Sequence, residues 1–152
     1  MDKTRLNPYI GRDGDARQLL EFYQKVLGGD LNLSTYGEAP MEAPESHKHR
    51  ILHGQLEVSD HVQIMASDAP PNMPVSTDDA TVSLSLSGPD EAGLRKVFDQ
   101  LAEGGKVVMP LEKQFWGDLF GMVDDKFNMH WMVNIGEPQS AKDAKAKDAK
   151  KD

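Results

Sequence analysis

One helical segment occurs twice in this chain, and the repeat limits the folds that the chain can adopt. Residues 15–27 read DARQLLEFYQKVL, with apolar side chains at the spacing of one helix face. Residues 90–102 repeat the pattern 75 positions later, so that Leu19 corresponds to Leu94. Each segment starts with an aspartate, which suits a helix N-terminus, and is soon followed by two glycines, which suit a helix end. We predict helices over Asp15–Leu27 and Asp90–Glu103, one in each copy of a duplicated unit.

Strand-like runs surround both predicted helices and complete each copy. Apolar and polar side chains alternate in several runs, as in strands that bury one face; Leu84 and Leu86 alternate with Ser83 and Ser85. One run precedes each helix and three follow it. The runs are Leu6–Ile10, 30–36, 51–58 and 61–67 in the first copy, and Thr81–Leu86, 106–111, 119–123 and 129–135 in the second. The sequence therefore predicts an α+β fold built from paired βαβββ modules.

The length and the C-terminal composition define the predicted domain. A chain of 152 residues is long enough for one domain with a core and short for two ordinary ones. We place that domain at residues 3–138. Residues 139–152, QSAKDAKAKDAKKD, are low in complexity and have no apolar face to bury. We predict that this tail is disordered and adds no stability.

Charge and residue types argue against several classes of function. The chain has no cysteine, which excludes disulfides, thiol nucleophiles and thiolate metal sites and fits a reducing compartment. A net charge of −8 argues against nucleic-acid binding through phosphate contacts. The sequence has neither a membrane-length apolar run nor a signal-peptide start. We expect a cytoplasmic protein with no nucleic-acid or membrane partner.

Four motifs together carry a resemblance to a known family. They are FYQKVLGG at residues 22–29, GGKVVMPLEKQFW at 104–116, FGMVDDKF at 120–127 and WMVN at 131–134. The chain resembles the vicinal-oxygen-chelate superfamily (glyoxalases, bleomycin-resistance proteins and dioxygenases), and within it the PhnB-like branch. The likeness covers residues 6–134. It implies an eight-stranded cup-like sheet with two main helices, a groove for a small molecule, and a homodimer.

The metal enzymes of this superfamily place one metal ligand in each of four strands. Counting along the matched strands assigns these positions to Pro8, Met65, Ser83 and Met132. Thioethers and hydroxyls are poor ligands for Zn²⁺, Mn²⁺, Ni²⁺ or Fe²⁺. A shift of one residue brings in Tyr9, Ser67, Ser85 and Trp131, which offer no carboxylate or imidazole either. We therefore expect no metal and no other cofactor.

Side chains on the groove side of the strands are the candidates for a ligand pocket. Strand alternation places His53 and Gln55 there, and two methionines would give an adaptable apolar lining. The full candidate set is His53, Gln55, Met65, Ser67, Ser83, Ser85, Trp116, His130 and Met132. Each has a plainer alternative: a hydrogen-bonded structural histidine, a core methionine, or an aromatic residue in the core or a dimer seam. Trp131 is expected in the core.

Two further patterns favour binding over catalysis. His47, His49 and His53 form an H-x-H-x₃-H pattern, but Lys48 and Arg50 beside them disfavour a bound cation. Neither His53 nor His130 has a serine or aspartate partner at a diagnostic spacing, so nucleophilic catalysis has no support. We expect a metal-free protein that binds a small apolar or aromatic molecule. The alternatives are an enzyme of unknown reaction that uses His53 as an acid, base or ligand, and a structural protein whose groove is filled by side chains.

Overall fold

A computed structural model of the protein describes residues 7–72, 82–115 and 117–136. The chain divides into two compact units, Met1–Asp79 and Ala80–Asp152. Leu6, Thr81, Trp116 and the tail 139–152 lie outside the described residues, so the predictions made for them stay predictions. Within the described ranges, no helix is long and apolar enough to cross a membrane.

The first unit contains one helix and a four-stranded mixed sheet. The sheet has the order β1-β4-β3-β2, in which β1 and β4 are parallel and the other neighbours antiparallel. Two short 3₁₀ helices, Tyr36–Glu38 and Glu45–His47, lie between β2 and β3. The elements are β1 (Tyr9–Arg12), α1 (Ala16–Leu27), β2 (Asp30–Thr35), β3 (Ile51–Glu57) and β4 (Gln63–Asp68).

The second unit repeats this architecture. Its sheet has the order β5-β8-β7-β6, again with one parallel pair, β5 and β8. The elements are β5 (Ser83–Gly88), α2 (Glu91–Ala102), β6 (Lys106–Lys113), β7 (Leu119–Asp124) and β8 (His130–Ile135). The two predicted helices and the two βαβββ modules are confirmed, and the eight strands form two four-stranded sheets.

Each helix packs an apolar face on the sheet of its own unit. In α1, Leu19, Leu20 and Tyr23 are fully buried, as is Leu56 of the sheet. In the second unit Phe98 and Leu101 of α2 are buried, together with three sheet residues, Val123, Trp131 and Val133. Full burial of one such side chain stabilises the fold by about 1.5–3 kcal/mol. The predicted core position of Trp131 is confirmed, and its indole N–H donates to Oδ2 of Asp125 at 3.0 Å.

The two helix N-termini are satisfied in different ways. Asp90 caps α2 itself, since its Oδ1 accepts from the N–H of Gly93 at 3.1 Å. Asp15 makes no such bond, because its carboxylate is paired with the guanidinium of Arg12 at 2.7 Å. Instead Asp68, from the end of β4, accepts from the N–H groups of Gly14 at 2.7 Å and Ala16 at 3.0 Å. Both helices thus have the predicted aspartate at the N-terminus, but only Asp90 caps its helix with its own side chain.

The glycine pair after each helix serves two separate needs. Gly28 and Gly104 have positive φ angles of 75° and 74°, which glycine adopts more easily than any residue with a side chain. The second glycine of each pair lies against the backbone of a neighbouring strand. A Cβ on Gly29 would lie 2.3 Å from the carbonyl oxygen of Glu57, and one on Gly105 would lie 2.2 Å from that of Asp124. Both positions therefore require glycine.

The first strand of each unit begins later than predicted. β1 covers Tyr9–Arg12 and β5 covers Ser83–Gly88, whereas the expected runs started at Leu6 and Thr81. The two units also differ by one residue between strand and helix: Asp13, Gly14 and Asp15 link β1 to α1, while Pro89 and Asp90 link β5 to α2. A count made back from the helices therefore pairs the wrong strand residues. This shift affects the residues compared with the family's metal positions.

Candidate functional site

The face of the first sheet opposite α1 carries four of the predicted pocket residues. On β3, Gly54 and Leu56 are buried, whereas His53 and Gln55 are partly exposed. On β4, Ile64 and Ala66 are buried, whereas Met65 and Ser67 are partly exposed. Gln55 is the register partner of Met65, so the two side chains share a face. The predicted alternation of His53 and Gln55 is confirmed.

Tyr9 joins this face and was missed as a pocket residue from the sequence. Tyr9 is the register partner of Met65 on the other side of β4, and its side chain is 52% exposed. Oη of Tyr9 and Nδ1 of His53 are hydrogen-bonded at 2.9 Å, and the ring centroids are 5.7 Å apart. Because β4 lies between β1 and β3, this contact spans three strands. No pattern in the sequence signals a contact between residues 44 positions apart.

The five residues Tyr9, His53, Gln55, Met65 and Ser67 are called the first-sheet site below. They offer a phenol, an imidazole, an amide, a thioether and a hydroxyl, and no carboxylate, ammonium or guanidinium. Opposite Ser67 in the register stands Gly11, which is exposed and has no side chain to cover its neighbour. Such a surface can hydrogen-bond a neutral molecule and contact its apolar part.

The second sheet presents the remaining described candidates on the face opposite α2. His130 and Met132 of β8 are partly exposed, and their register partners on β5 are Ser83 and Ser85. The N–H at Nδ1 of His130 donates to Oδ1 of Asp124 at 2.5 Å. His130 therefore has an acidic partner that no diagnostic spacing in the sequence indicated. No local pattern in the sequence indicates this bond, because the register of the β7–β8 hairpin brings Asp124 opposite His130.

The register of the sheets shows which strand residues of the two units are equivalent. The N–H of Ala69 donates to the carbonyl of Arg12 at 2.7 Å, and that of Gly136 donates to the carbonyl of Gly88 at 2.9 Å, so these bonds are equivalent in the two units. Counting back equally along the strands pairs Met65 with Met132, as expected. By the same count Pro8 and Ser83 are not equivalent. Tyr9 and Ser85 are equivalent, and they are the register partners of Met65 and Met132.

Neither the expected set Pro8, Met65, Ser83 and Met132 nor the set that contains Tyr9 and Ser85 fits a divalent transition metal, because hydroxyls and thioethers are their only side-chain donors. Across residues 7–72, 82–115 and 117–136, no group of three or more histidines, aspartates or glutamates is arranged to hold a metal ion. In the H-x-H-x₃-H pattern, Nδ1 of His47 is hydrogen-bonded to Ser46 at 3.0 Å, and His53 contacts Tyr9 instead.

The two units also contain two open depressions. One is formed in the first unit by the segment after β2 and includes Met41 and Lys48. The other, in the second unit, lies near the start of α2 and includes Glu91 and Lys113. Among the residues that the structure describes, neither depression includes a predicted pocket residue. We therefore take the sheet faces, where the hydrogen-bonded histidines lie, as the candidate sites.

The fold and the motifs agree with a comparison of the sequence with known families. The profile of the Glyoxalase/Bleomycin resistance protein/Dioxygenase superfamily matches residues 5–133, most of the chain. The chain belongs to this superfamily. The family and fold expected from the sequence motifs are thereby confirmed.

Individual relatives match nearly their whole length. Protein YjdN of Escherichia coli K12 is 31% identical over 145 residues, which cover 88% of this chain and 97% of YjdN. The crystal structure of protein PA1353 from Pseudomonas aeruginosa has a TM-score of 0.79 and 35% identity, covering 90% of this chain and 100% of PA1353. The PhnB protein of Bacillus cereus has a TM-score of 0.66 at 19% identity and covers 88% of this chain and 100% of its own; this likeness concerns the fold alone.

Proposed function

We propose that this chain binds a small neutral molecule with an aromatic or apolar part at the first-sheet site, without a metal ion. The observation that carries the proposal is the hydrogen bond between Tyr9 and His53, which holds two aromatic side chains across the face of the sheet. Met65 lies in register with Tyr9, so a ligand held by the rings also contacts a flexible thioether.

The available hydrogen-bonding groups define the ligand further. Within the described part of the chain, Nε2 of His53, the amide of Gln55 and the hydroxyl of Ser67 have no hydrogen-bond partner. Each can bond a carbonyl, hydroxyl or amide of the ligand. No charged side chain belongs to the site, so it offers no ion pair to a charged ligand. A neutral aromatic amide or ketone matches these groups.

A titration with benzamide tests this proposal. Saturable chemical-shift changes are expected at the methyl group of Met65. His53→Ala is expected to weaken binding at least about fivefold, since it removes a hydrogen bond and ring contact. The control is His61→Ala, because His61 is an exposed histidine in the same unit near the turn between β3 and β4. No saturable change at Met65, or equal affinity of His53→Ala and the parent protein, would refute the site.

The same contact bears on the alternative, an enzyme that uses His53 as a base. Nε2 accepts a proton only in the neutral tautomer whose Nδ1–H donates to Tyr9; when the Tyr9 hydroxyl donates, Nε2 carries the hydrogen. ¹⁵N shifts of the imidazole distinguish the two forms. The Nε2–H tautomer in both the parent protein and Tyr9→Phe would favour binding over base catalysis.

A second copy of the chain is the partner that we propose for the protein. β6 is an edge strand of its sheet, and Val107, Val108 and Met109 on it are 44%, 49% and 39% exposed. An exposed apolar edge strand is a template for pairing with another chain. Antiparallel pairing of two β6 strands about Met109 would place Lys106 opposite Glu112, which matches their charges.

A further inference from the structure

The second sheet contains a histidine whose bonding prepares it to accept a hydrogen bond. A carboxylate accepts hydrogen bonds only, so Asp124 fixes the hydrogen of neutral His130 on Nδ1 and leaves a lone pair on Nε2. The two ring nitrogens point in roughly opposite directions, so Nε2 is directed away from Asp124. No described residue is hydrogen-bonded to Nε2. The imidazole therefore presents a fixed, unused acceptor.

The surroundings of His130 favour an aromatic ligand without negative charge. Both side chains of the pair are partly accessible, at 29% for His130 and 28% for Asp124. Met132 follows two positions later on β8, and its register partner on β7 is Met122, so two thioethers lie on the same face. Sulfur contacts with ring edges are favourable. The carboxylate of Asp124 repels an anion beside the neutral imidazole.

We propose that His130, Met122 and Met132 of the second sheet form a binding site that takes a neutral phenol. The phenolic O–H donates to Nε2 of His130, and the ring contacts the two thioethers. Asp124 is a positioning residue, because it acts on the ligand only through the imidazole. Ser83, in register with His130 on β5, borders the site with its exposed hydroxyl. This site uses no residue of the first-sheet site.

Phenol, anisole and benzoate serve as the probes, and the methionine methyl groups serve as the reporters. Phenol is expected to shift the Met122 and Met132 methyl signals saturably. Anisole has the same ring and oxygen but no O–H, and is expected to bind at least about fivefold more weakly, which corresponds to one lost hydrogen bond. Benzoate is expected to be weaker than phenol because of its charge. Equal binding of phenol and anisole would overturn the proposal.

Variants separate the roles of the two residues. His130→Ala is expected to reduce phenol affinity to the level of anisole. Asp124→Asn is expected to do the same, because the amide N–H can donate to Nδ1 and thereby place the hydrogen on Nε2. Asp99→Asn is the control, since it removes the same charge from an exposed position on α2 of the same unit. Unchanged phenol affinity in Asp124→Asn, even with a lowered melting temperature, would refute the positioning role.

The reporters also separate this inference from the proposed function. The Met65 methyl group belongs to the first sheet, and its response to benzamide tests that site alone. If phenol shifts Met65 but neither Met122 nor Met132, the second-sheet site is refuted and the first is not. If Met122 and Met132 respond in both the parent protein and His53→Ala, the second site stands by itself.

Discussion

Asp68 holds three segments of the first unit together through one buried carboxylate. It is 1% exposed, and its oxygens accept from the N–H groups of Gly14, Ala16 and Ile51 at 2.7, 3.0 and 2.8 Å. The hydroxyl of Tyr36 also donates to the carbonyl oxygen of Asp68 at 2.9 Å. These bonds tie the start of α1 and the start of β3 to the end of β4. Asp68 thus does in this unit what the N-cap residue does in the other.

Asp68→Ala should therefore be strongly destabilising. The substitution leaves three backbone N–H groups without their acceptor, and each unsatisfied buried group costs about 1–3 kcal/mol. We expect a loss of about 3 kcal/mol or more in the free energy of unfolding, measured by urea denaturation. Asp60→Ala, at an exposed position in the turn after β3, is the control and should change it by less than about 0.5 kcal/mol. A loss below about 1 kcal/mol for Asp68→Ala would contradict this role.

Asp15 should make the stability of the protein depend on pH in the acid range. Its hydrogen bonds with the Arg12 guanidinium lower its pKa below the ordinary value of 3.8. The folded chain therefore binds fewer protons than the unfolded chain. The resulting stabilisation is present above the unfolded pKa and is lost as the pH falls through the folded pKa. Because 41% of the side chain is exposed, solvent screening limits the effect to less than about 1 kcal/mol.

Urea unfolding at a series of pH values below neutral measures this dependence. Asp15→Asn should flatten the fall in stability below about pH 4. Asp99→Asn, at an exposed position of α2 that forms no ion pair with a described residue, should leave the shape of the curve unchanged. If the free energy of unfolding falls identically at low pH in the parent protein and in Asp15→Asn, the Arg12 contact either persists in the unfolded chain or is not formed.

The sequence located the candidate side chains better than their contacts. The period-two pattern places His53 and Gln55 on one face, because alternation is a local property of a strand. The Tyr9–His53 bond depends on the strand order β1-β4-β3, and the Asp124–His130 bond on the register of a hairpin. Neither is written in local periodicity. The bonds that give each histidine its chemical character could therefore be found only from the structure.

At the scale of elements, the glycine pairs allow two energetic costs to be measured separately. One is backbone strain at a positive φ angle, and the other is the close contact of an added Cβ with a neighbouring strand. Gly104 has φ of 74°, and the nearest atom to an added Cβ is 3.4 Å away; Gly105 has no positive φ, but a Cβ there would lie 2.2 Å from the carbonyl oxygen of Asp124. Gly104→Ala should cost about 1–2 kcal/mol through the left-handed conformation. Gly105→Ala should cost more, about 3 kcal/mol, because a backbone must move.

Thermal and urea unfolding of both variants give the comparison. Gly28→Ala provides a second measurement of strain alone, since nothing lies within 4 Å of its added Cβ. Because ψ of Gly28 is −165°, in a region that is essentially restricted to glycine, Gly28→Ala should cost at least as much as Gly104→Ala. If Gly105→Ala proves no more destabilising than Gly104→Ala, the end of β7 can move away from the glycine at little cost.

Helices and hairpins were predicted more accurately than the first strand of each unit. The apolar spacing of α1 and α2 extends over three turns, and a glycine pair follows the C-terminal end of each helix. The bounds of both helices therefore agree with the prediction within a residue. β1 has four residues, which is too short for a clear alternation. Because of the extra residue between β1 and α1, an equal count back from the two helices reached Pro8 and Ser83, which are not equivalent positions.

At the scale of the whole molecule, the exposed edge of β6 gives the proposed homodimer a specific test. Sedimentation at tens of micromolar should give a mass twice the 16.8 kDa of one chain. Val108→Lys should shift the protein toward the monomer, because a lysine on an edge strand opposes pairing with a second strand. Asp99→Lys makes a charge change on the exposed surface of α2 and should leave the dimer intact. A monomeric parent protein at this concentration would contradict the proposal.

The absence of suitable metal ligands leads to a prediction about the purified protein. The positions expected for the family's ligands are Pro8, Met65, Ser83 and Met132, and the register partners of the two methionines, Tyr9 and Ser85, offer only hydroxyls. A divalent transition metal requires anionic oxygen or a nitrogen lone pair at its ligands. We expect tag-free protein to contain far less than one metal ion per chain by elemental analysis. Zn²⁺, Mn²⁺, Ni²⁺ or Fe²⁺ should not raise its melting temperature.

A metal site introduced by substitution provides the positive control for the melting-temperature measurement. Ser85 and Met132 are register partners, so Ser85→His with Met132→Glu places an imidazole and a carboxylate on neighbouring strands of one sheet. Zn²⁺ should raise the melting temperature of this double variant, because a ligand that binds only the folded state stabilises it in proportion to the logarithm of ligand concentration over Kd. The parent protein should show no such rise at the same concentration. A stoichiometric metal in the parent protein, lost in His53→Ala, would instead identify His53 as a ligand and favour metal-dependent catalysis.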